Sequence, residues 1–338
     1  MPCPNVTQER GRPEARRPTE GIAVLSRVKP SQQVLRDCTR STLGRMASMR
    51  DGPVESSKGR QGGTVIAYNG SSAGLGNRMR VTLGAAAYAT WRGARFYYVW
   101  PTTSQFRPRL SDLWQEEPGN RMPRAVSQAL SKVTGYAGSD LSGAEGRKVV
   151  QVRTGGELVL PAGAPDWKHS LRVLTPVPRV EEAVRPLHAQ FEGDPYVGVQ
   201  IRASTQIHQR TRDSSPVSWF IAQMREIAAE RHEARFYVSC DVPKVKQEIL
   251  AEFPTAVGLS SDAHYNSTEA VQTAVADLYL LASSSFLIGP HASSFIELAE
   301  ALAGGVLRAV KPTESIPSPE CWWETPPARD PLQPALRR

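Results

Sequence analysis

A chain of 338 residues, 40% of them hydrophobic, is long enough for two domains with a core in each. It has no run of about 18 apolar residues, so no membrane-spanning helix is expected. The net charge is +8, but residues 1–60 hold 12 Lys and Arg against 6 Asp and Glu, which leaves only +2 on the other 278 residues. A nucleic-acid surface needs a concentrated basic helix or stripe. None is present, and no nucleic-acid partner is expected.

No apolar stretch follows Met1, so the reading is of a cytoplasmic protein without a secretory signal. The Asn-x-Ser/Thr patterns at Asn5, Asn69 and Asn266 then read as chance. Cys3, Cys38, Cys240 and Cys321 are far apart and form no C-x-x-C, which argues against a disulfide framework or a structural zinc site.

Residues 1–60 are rich in Pro, Arg, Ser and Gly and poor in aromatics. Such a segment buries too little surface to offset its ordering entropy and reads as a disordered basic tail. The first folded unit begins at Thr64. Val65 to Tyr68 reads as a buried strand, followed by a loop, Asn69 to Asn77, that carries Gly70, Gly74 and Gly76. A helical pattern runs on to Trp91, and Phe96 to Trp100 is the next strand. This is a βαβ unit. Its loop lets backbone approach a ligand, and its helix N-terminus favours a negative group. The spacing is neither a dinucleotide fingerprint nor a P-loop.

Residues 101–150 are less regular, with Phe106, Leu110, Leu113 and Trp114 expected to pack on the first unit. Val149 to Val152 and Leu158 to Leu160 read as strands, and Arg179 to Phe191 as an amphipathic helix. Asp194-Pro195 marks a boundary, so 61–193 forms one Rossmann-like domain.

Residues 194–312 form a second such domain. Strands are expected at 196–202, 235–239, 256–259, 286–288 and 306–310. Helices are expected at 216–231, 243–253, 268–282 and 291–303. Short links between alternating strands and helices predict a parallel sheet covered on both faces. Residues 313–338 form a Pro-rich tail whose Cys321-Trp322-Trp323 patch suits docking back on the body.

Strand 196–202 ends in Arg202, and strand 235–239 runs into Asp241. Ligands of open α/β sheets sit beyond the carboxyl ends of strands, and a guanidinium there suits a phosphate or carboxylate. An ordinary surface arginine fits that stretch equally well taken alone. Gln200 shares the strand with Arg202. Ser293 and Ser294 follow Gly289 and His291 at the start of a helix, where hydroxyls and free N–H groups make an anion site or simply a cap. Asp277 lies inside the apolar helix AVADLYLLA and needs a partner.

These stretches resemble a known family. VGVQIR, FYVSCD and AVADLYLLASSSFLIGPHASSFIELA, with GLGNRM upstream, resemble in order and spacing the motifs of the NodZ and α1,6-fucosyltransferase family and the related protein O-fucosyltransferases. The resemblance implies an α/β fold of GT-B type, with two Rossmann-like domains facing a cleft. It implies inverting transfer from GDP-fucose, as co-substrate, with no metal and no other cofactor.

Residue by residue, it makes Arg202 the diphosphate ligand and Asp277 the reader of guanine. Ser293 meets the phosphates, with Ser294 adjacent, and Asp241 lies near the nucleotide. Gly74, Gly76, Asn77 and Arg78 form the upstream loop. Read from its position alone, His291 opens the last helix, either near the phosphates or as a neutral neighbour of the cap. The family often has His-x-Arg-Arg where this chain has Gln200-Ile201-Arg202-Ala203. Gln200 retains hydrogen bonding suited to a guanine contact, while Ala203 removes a charge.

A base for the acceptor hydroxyl is sought in the loop after Arg202. Asp213 is the first choice, with helix capping as its alternative, and His208 the second. The expected partners are a sugar nucleotide and a glycan or small-molecule acceptor. Another sugar nucleotide, or a nucleotide-binding module without catalysis, remains as an alternative.

Overall fold

The computed structural model describes residues 62–204, 209–261, 263–314 and 323–337. The tail over 1–60, His208 and Cys321-Trp322 lie outside the described residues. The first sheet starts from β1 (Thr64–Tyr68), whose Val65 to Tyr68 are all buried, as a parallel strand covered on both faces requires. The Gly-rich loop leads into α1 (Leu75–Arg92), and the chain returns as β2 (Arg95–Val99). α1 stops at Gly93, which takes the left-handed conformation at φ 67° and donates its N–H back to Ala89 and Thr90. β3 (Asn120–Arg121) and β4 (Val149–Val152) complete a parallel sheet in the order β3-β2-β1-β4.

The insert between β2 and β4 is more regular than its sequence suggests. It contains a short 3-10 turn (Leu110–Asp112) and α2 (Arg124–Thr134). α3 (Trp167–Arg172) and α4 (Pro178–Ala189) lead to the second sheet. Phe106, Leu110, Leu113 and Trp114 are buried as expected. Trp114 Nε1 donates to the Tyr279 hydroxyl at 3.3 Å, so the insert also grips the helix that carries Asp277.

The second sheet is built on β5 (Tyr196–Ile201), buried at every residue. Gly198 is required at its centre, since a Cβ there would lie 2.8 Å from Ser284 Oγ. α5 (Gln209–Ser214) and α6 (Val217–Glu230) follow, then β6 (Arg235–Cys240), α7 (Pro243–Glu252), β7 (Ala256–Val257), α8 (Thr268–Ala282), β8 (Phe286–Ile288) and α9 (Ser294–Leu302). The order is β7-β6-β5-β8, all parallel. The α/β class with two parallel sheets is as expected.

One apolar cluster runs from Val65 on β1 through Met79 and Tyr88 on α1 to Leu280 on α8 and Leu287 on β8. Helices between the sheets therefore share a core. The C-terminal segment docks on this body: Ala328 N–H donates to the Ser283 carbonyl at 2.9 Å, and Arg337 Nη1 donates to the Ser284 carbonyl at 2.7 Å.

Two expected strands shrink to single bridges, Val159 with Asp140 and Val310 with Ile288. Leu158 is drawn instead against α1, where a Cβ on Gly84 would lie 3.1 Å from Leu158 Cδ1. Val306 follows Gly304 and Gly305, both at positive φ, and is exposed. The helix expected from His291 begins only at Ser294, because Ala292 has φ 51° and Ser293 is extended.

Candidate functional site

In each sheet the chain leaves a central strand on one side and comes back on the other. β5 lies between β6 and β8, and β1 lies between β2 and β4. Such switch points leave a crevice beyond the carboxyl ends of the strands, where α/β folds bind ligands. Arg202 leaves β5 directly into one crevice, and residues 289–293 leave β8 into the same one. From the first sheet, α1 arrives so close that a Cβ on Gly76 would lie 2.5 Å from the Ser294 carbonyl oxygen. The two helix N-termini therefore converge.

A pocket of 340 Å³ opens where they meet. Asn77 and Arg80 line it from α1, Thr211 from α5, Ala292 and Ser293 from the loop after β8, and Ser294 and Glu297 from α9, with Arg202 among them. Its polar character follows from this lining: two guanidiniums, one carboxylate, one amide and three hydroxyls. The first turn of α9 adds backbone N–H groups without intrahelical acceptors.

Arg202 is held from two sides. Its Nη1 lies 3.7 Å from Asp241 Oδ2, and its guanidinium carbon lies 5.2 Å from the centre of the Phe295 ring. Asp241 Oδ1 accepts the N–H groups of Ala203 at 2.7 Å and Ser204 at 3.2 Å. Asp241 Oδ2 is buried without a hydrogen-bond partner among the described residues, so its charge is directed at Arg202. Asp241 thus fixes the bend after β5 and orients the arginine.

Ser293 caps α9 by accepting the Ile296 N–H at 3.4 Å. Its hydroxyl lies 3.3 Å from Gln200 Oε1, to which it donates. Gln200 is buried beneath the serine and does not line the pocket. Ala292 sits in the left-handed region at φ 51°, a strained state for a residue with a Cβ. The His291 N–H donates to Ser215 Oγ at 2.9 Å, and its Nε2 lies 3.1 Å from Thr313 Oγ1. His291 braces the loop from behind and is absent from the pocket lining.

Arg78 departs from expectation. Its guanidinium is buried and donates to the carbonyls of Ala73 (2.7 Å), Pro101 (2.9 Å), Gly70 (3.3 Å) and Ser71 (3.2 Å). It lies 4.1 Å from the centre of the Phe106 ring. Burial lowers its pKa to about 10. Arg78 shapes the Gly-rich loop from within and offers nothing to a ligand. Gly74 is the N-cap of α1 and faces open space.

Asp213 is exposed, pairs with Arg212 at 3.3 Å, and does not line the pocket. Asp277 is 7% exposed. Its Oδ1 accepts from the Tyr237 hydroxyl and its Oδ2 from Ser239 Oγ at 2.9 Å. Burial raises its pKa, while Lys246, Tyr237, Ser239 and Arg202 act the other way.

Three pocket residues escaped the sequence reading: Arg80, Thr211 and Glu297. Arg80 stands three residues after Asn77 on α1, and Glu297 four after Ser293, spacings that share a helix face. Arg80 Nη1 lies 2.6 Å from Glu297 Oε2, and Arg80 Nε donates to the Gly155 carbonyl at 3.0 Å. Gly155 belongs to the turn beyond β4, the other side of the first switch point. The helical spacing was the available signal.

No protein-family model and no curated protein sequence matches the chain. Solved structures do. The fucosyltransferase NodZ from Bradyrhizobium superimposes with a TM-score of 0.51 at 14% identity, over 71% of this chain and 93% of that one. The chain has the fold of NodZ. NodZ co-crystallized with GDP gives a TM-score of 0.49 over 71% and 92% of the two chains, again at 14% identity. POFUT1 in its apo form is more distant, with a TM-score of 0.45, 10% identity, and 76% and 99% of the chains covered. In the NodZ fold of this chain, the carboxyl ends of both sheets face the pocket built around Arg202.

Proposed function

We propose that the chain is an inverting, metal-independent glycosyltransferase of GT-B type that moves fucose from GDP-fucose to a hydroxyl of a glycan or small molecule. The observation that carries the reading is Arg202, braced by Asp241 and Phe295 at a switch-point crevice and facing the capped N-terminus of α9. That combination suits a diphosphate: a planar fork for two oxygens and a helix end for the remaining charge. The motif resemblance and the fucosyltransferase whose fold the chain has make GDP-fucose the first choice of donor.

In this reading, the diphosphate lies between Arg202 and the first turn of α9. Transfer develops negative charge on the departing diphosphate. Each well-placed donor there contributes about 3–4 kcal/mol to the transition state. Asp277 is the guanine reader in this reading on the motif resemblance: it is buried, accepts two protein hydrogen bonds and lies outside the pocket lining.

The buried position of Gln200 and the Ala203 departure favour a second reading, the same chemistry with a different sugar nucleotide. A thermal-shift panel of GDP, UDP, ADP and their sugars separates the two. A ligand at 100 times its Kd stabilises the fold by about 2.7 kcal/mol. A shift with guanine nucleotides alone supports the first reading. A shift with uridine or adenine nucleotides alone supports the second, and no shift with any of them removes both.

A further inference from the structure

Among the described residues the pocket is lined by a single carboxylate, Glu297. It occupies the first turn of α9, beside the serines proposed to meet the diphosphate. Its Oε2 is aimed by Arg80 at 2.6 Å, and Arg80 is anchored in turn on the Gly155 carbonyl at 3.0 Å. The carboxylate is held from both sheets, yet its side chain stays 46% exposed and open to an incoming acceptor. Asp213, sought as the base in the sequence, is 59% exposed, pairs with Arg212 and stands outside the pocket.

We propose that Glu297 is the catalytic base of transfer. The proposal rests on the glycosyltransferase reading above. The acceptor O–H bond breaks and its proton passes to the Glu297 carboxylate. The released electron pair forms the bond from oxygen to the anomeric carbon of the sugar. The bond from that carbon to the diphosphate breaks, and its electron pair leaves on the nucleotide diphosphate, met by Arg202 and the α9 amides. In slow donor hydrolysis, water takes the acceptor's place, and its proton follows the same route. Glu297 then returns that proton to solvent.

A plain tie between α1 and α9 is the competing role for the Arg80–Glu297 pair, and the two roles differ in what each partner's loss does. The test uses the full chain, GDP-fucose as donor and water as acceptor. It follows GDP release, with GDP affinity by calorimetry and melting temperature alongside. Glu297→Gln is expected to lower GDP release by roughly a hundredfold or more, within the usual range for a general base, while GDP affinity stays within about threefold of wild type. Glu297→Asp is expected to recover about tenfold over the Gln variant, and Arg80→Gln to lose no more than about tenfold.

The proposal is overturned if Glu297→Gln releases GDP at the wild-type rate, or if Arg80→Gln is as slow as Glu297→Gln. A wild type that binds no GDP removes the transferase reading itself, and the proposal with it. A wild type that binds GDP-fucose yet releases no GDP above the enzyme-free rate contradicts the base assignment and leaves only a binding module.

Discussion

Gly76 at the start of α1 and Ser294 at the start of α9 touch so closely that a methyl group on Gly76 would lie 2.5 Å from both the carbonyl oxygen and the Oγ of Ser294. Two helix N-termini, one from each sheet, are thereby brought to one pocket. Gly76→Ala must part the helices. The expected loss is about 1–3 kcal/mol of stability, as for other overpacked sites, together with weaker GDP binding. Gly74→Ala, two residues earlier with nothing within 4 Å of its Cβ, is expected to stay within about 0.5 kcal/mol of wild type. Urea denaturation and GDP calorimetry on the two variants check the contrast.

Ala203 stands where the family that the motifs resemble often has a second arginine. In this chain it is buried among Val199, Ile201, Phe220 and Cys240 in the core cluster behind β5. Ala203→Arg is therefore expected to destabilise the fold by about 1–3 kcal/mol or more and not to strengthen GDP binding. A stable variant with tighter GDP binding contradicts this placement.

Asp277 gives a pH signature. Burial, the largest influence, raises its pKa above 3.8. The folded chain then keeps the proton where the unfolded chain has released it. The favourable contribution is complete below the unfolded pKa and is lost as pH rises through the folded pKa. Asp277→Asn removes that loss. The stability difference between variant and wild type is expected to move in the variant's favour as pH climbs from about 4. Urea midpoints across the acid range test the sign.

If Arg202 and the α9 N-terminus alone meet the departing diphosphate, GDP release from GDP-fucose is expected to proceed unchanged in EDTA. Release that stops with the chelator and returns with magnesium or manganese contradicts that division of charge.

How much was legible in the sequence follows from the range of each interaction. β5 and Arg202 were readable because a buried parallel strand is a continuous apolar run, and a charge at its end breaks that run. α2 carries Val126, Ala129, Leu130 and Val133 at helical spacing, but its eleven residues sit in an otherwise irregular insert, and Ser127 is its one buried residue while Val126 and Val133 stay exposed. The burial of Arg78 against four carbonyls is not legible, because it depends on Pro101 and on loop folding, neither visible locally. The Arg80–Glu297 pair spans 217 positions, and only the meeting of α1 and α9 at Gly76 brings it together. The same long-range contact places Glu297, distant from Arg202 in sequence, in one pocket with it, while Asp213, close to Arg202 in sequence, stays outside.

The central claim is that Arg202 holds a nucleotide diphosphate, and calorimetric titration of GDP into wild type and Arg202→Ala tests it most directly. A charged hydrogen-bond donor contributes about 1.5–3 kcal/mol, so the variant is expected to bind GDP roughly 10- to 150-fold more weakly. It is also expected to melt lower than wild type while still folding, because the buried Asp241 carboxylate loses its partner. Equal GDP affinity in the two proteins would contradict it.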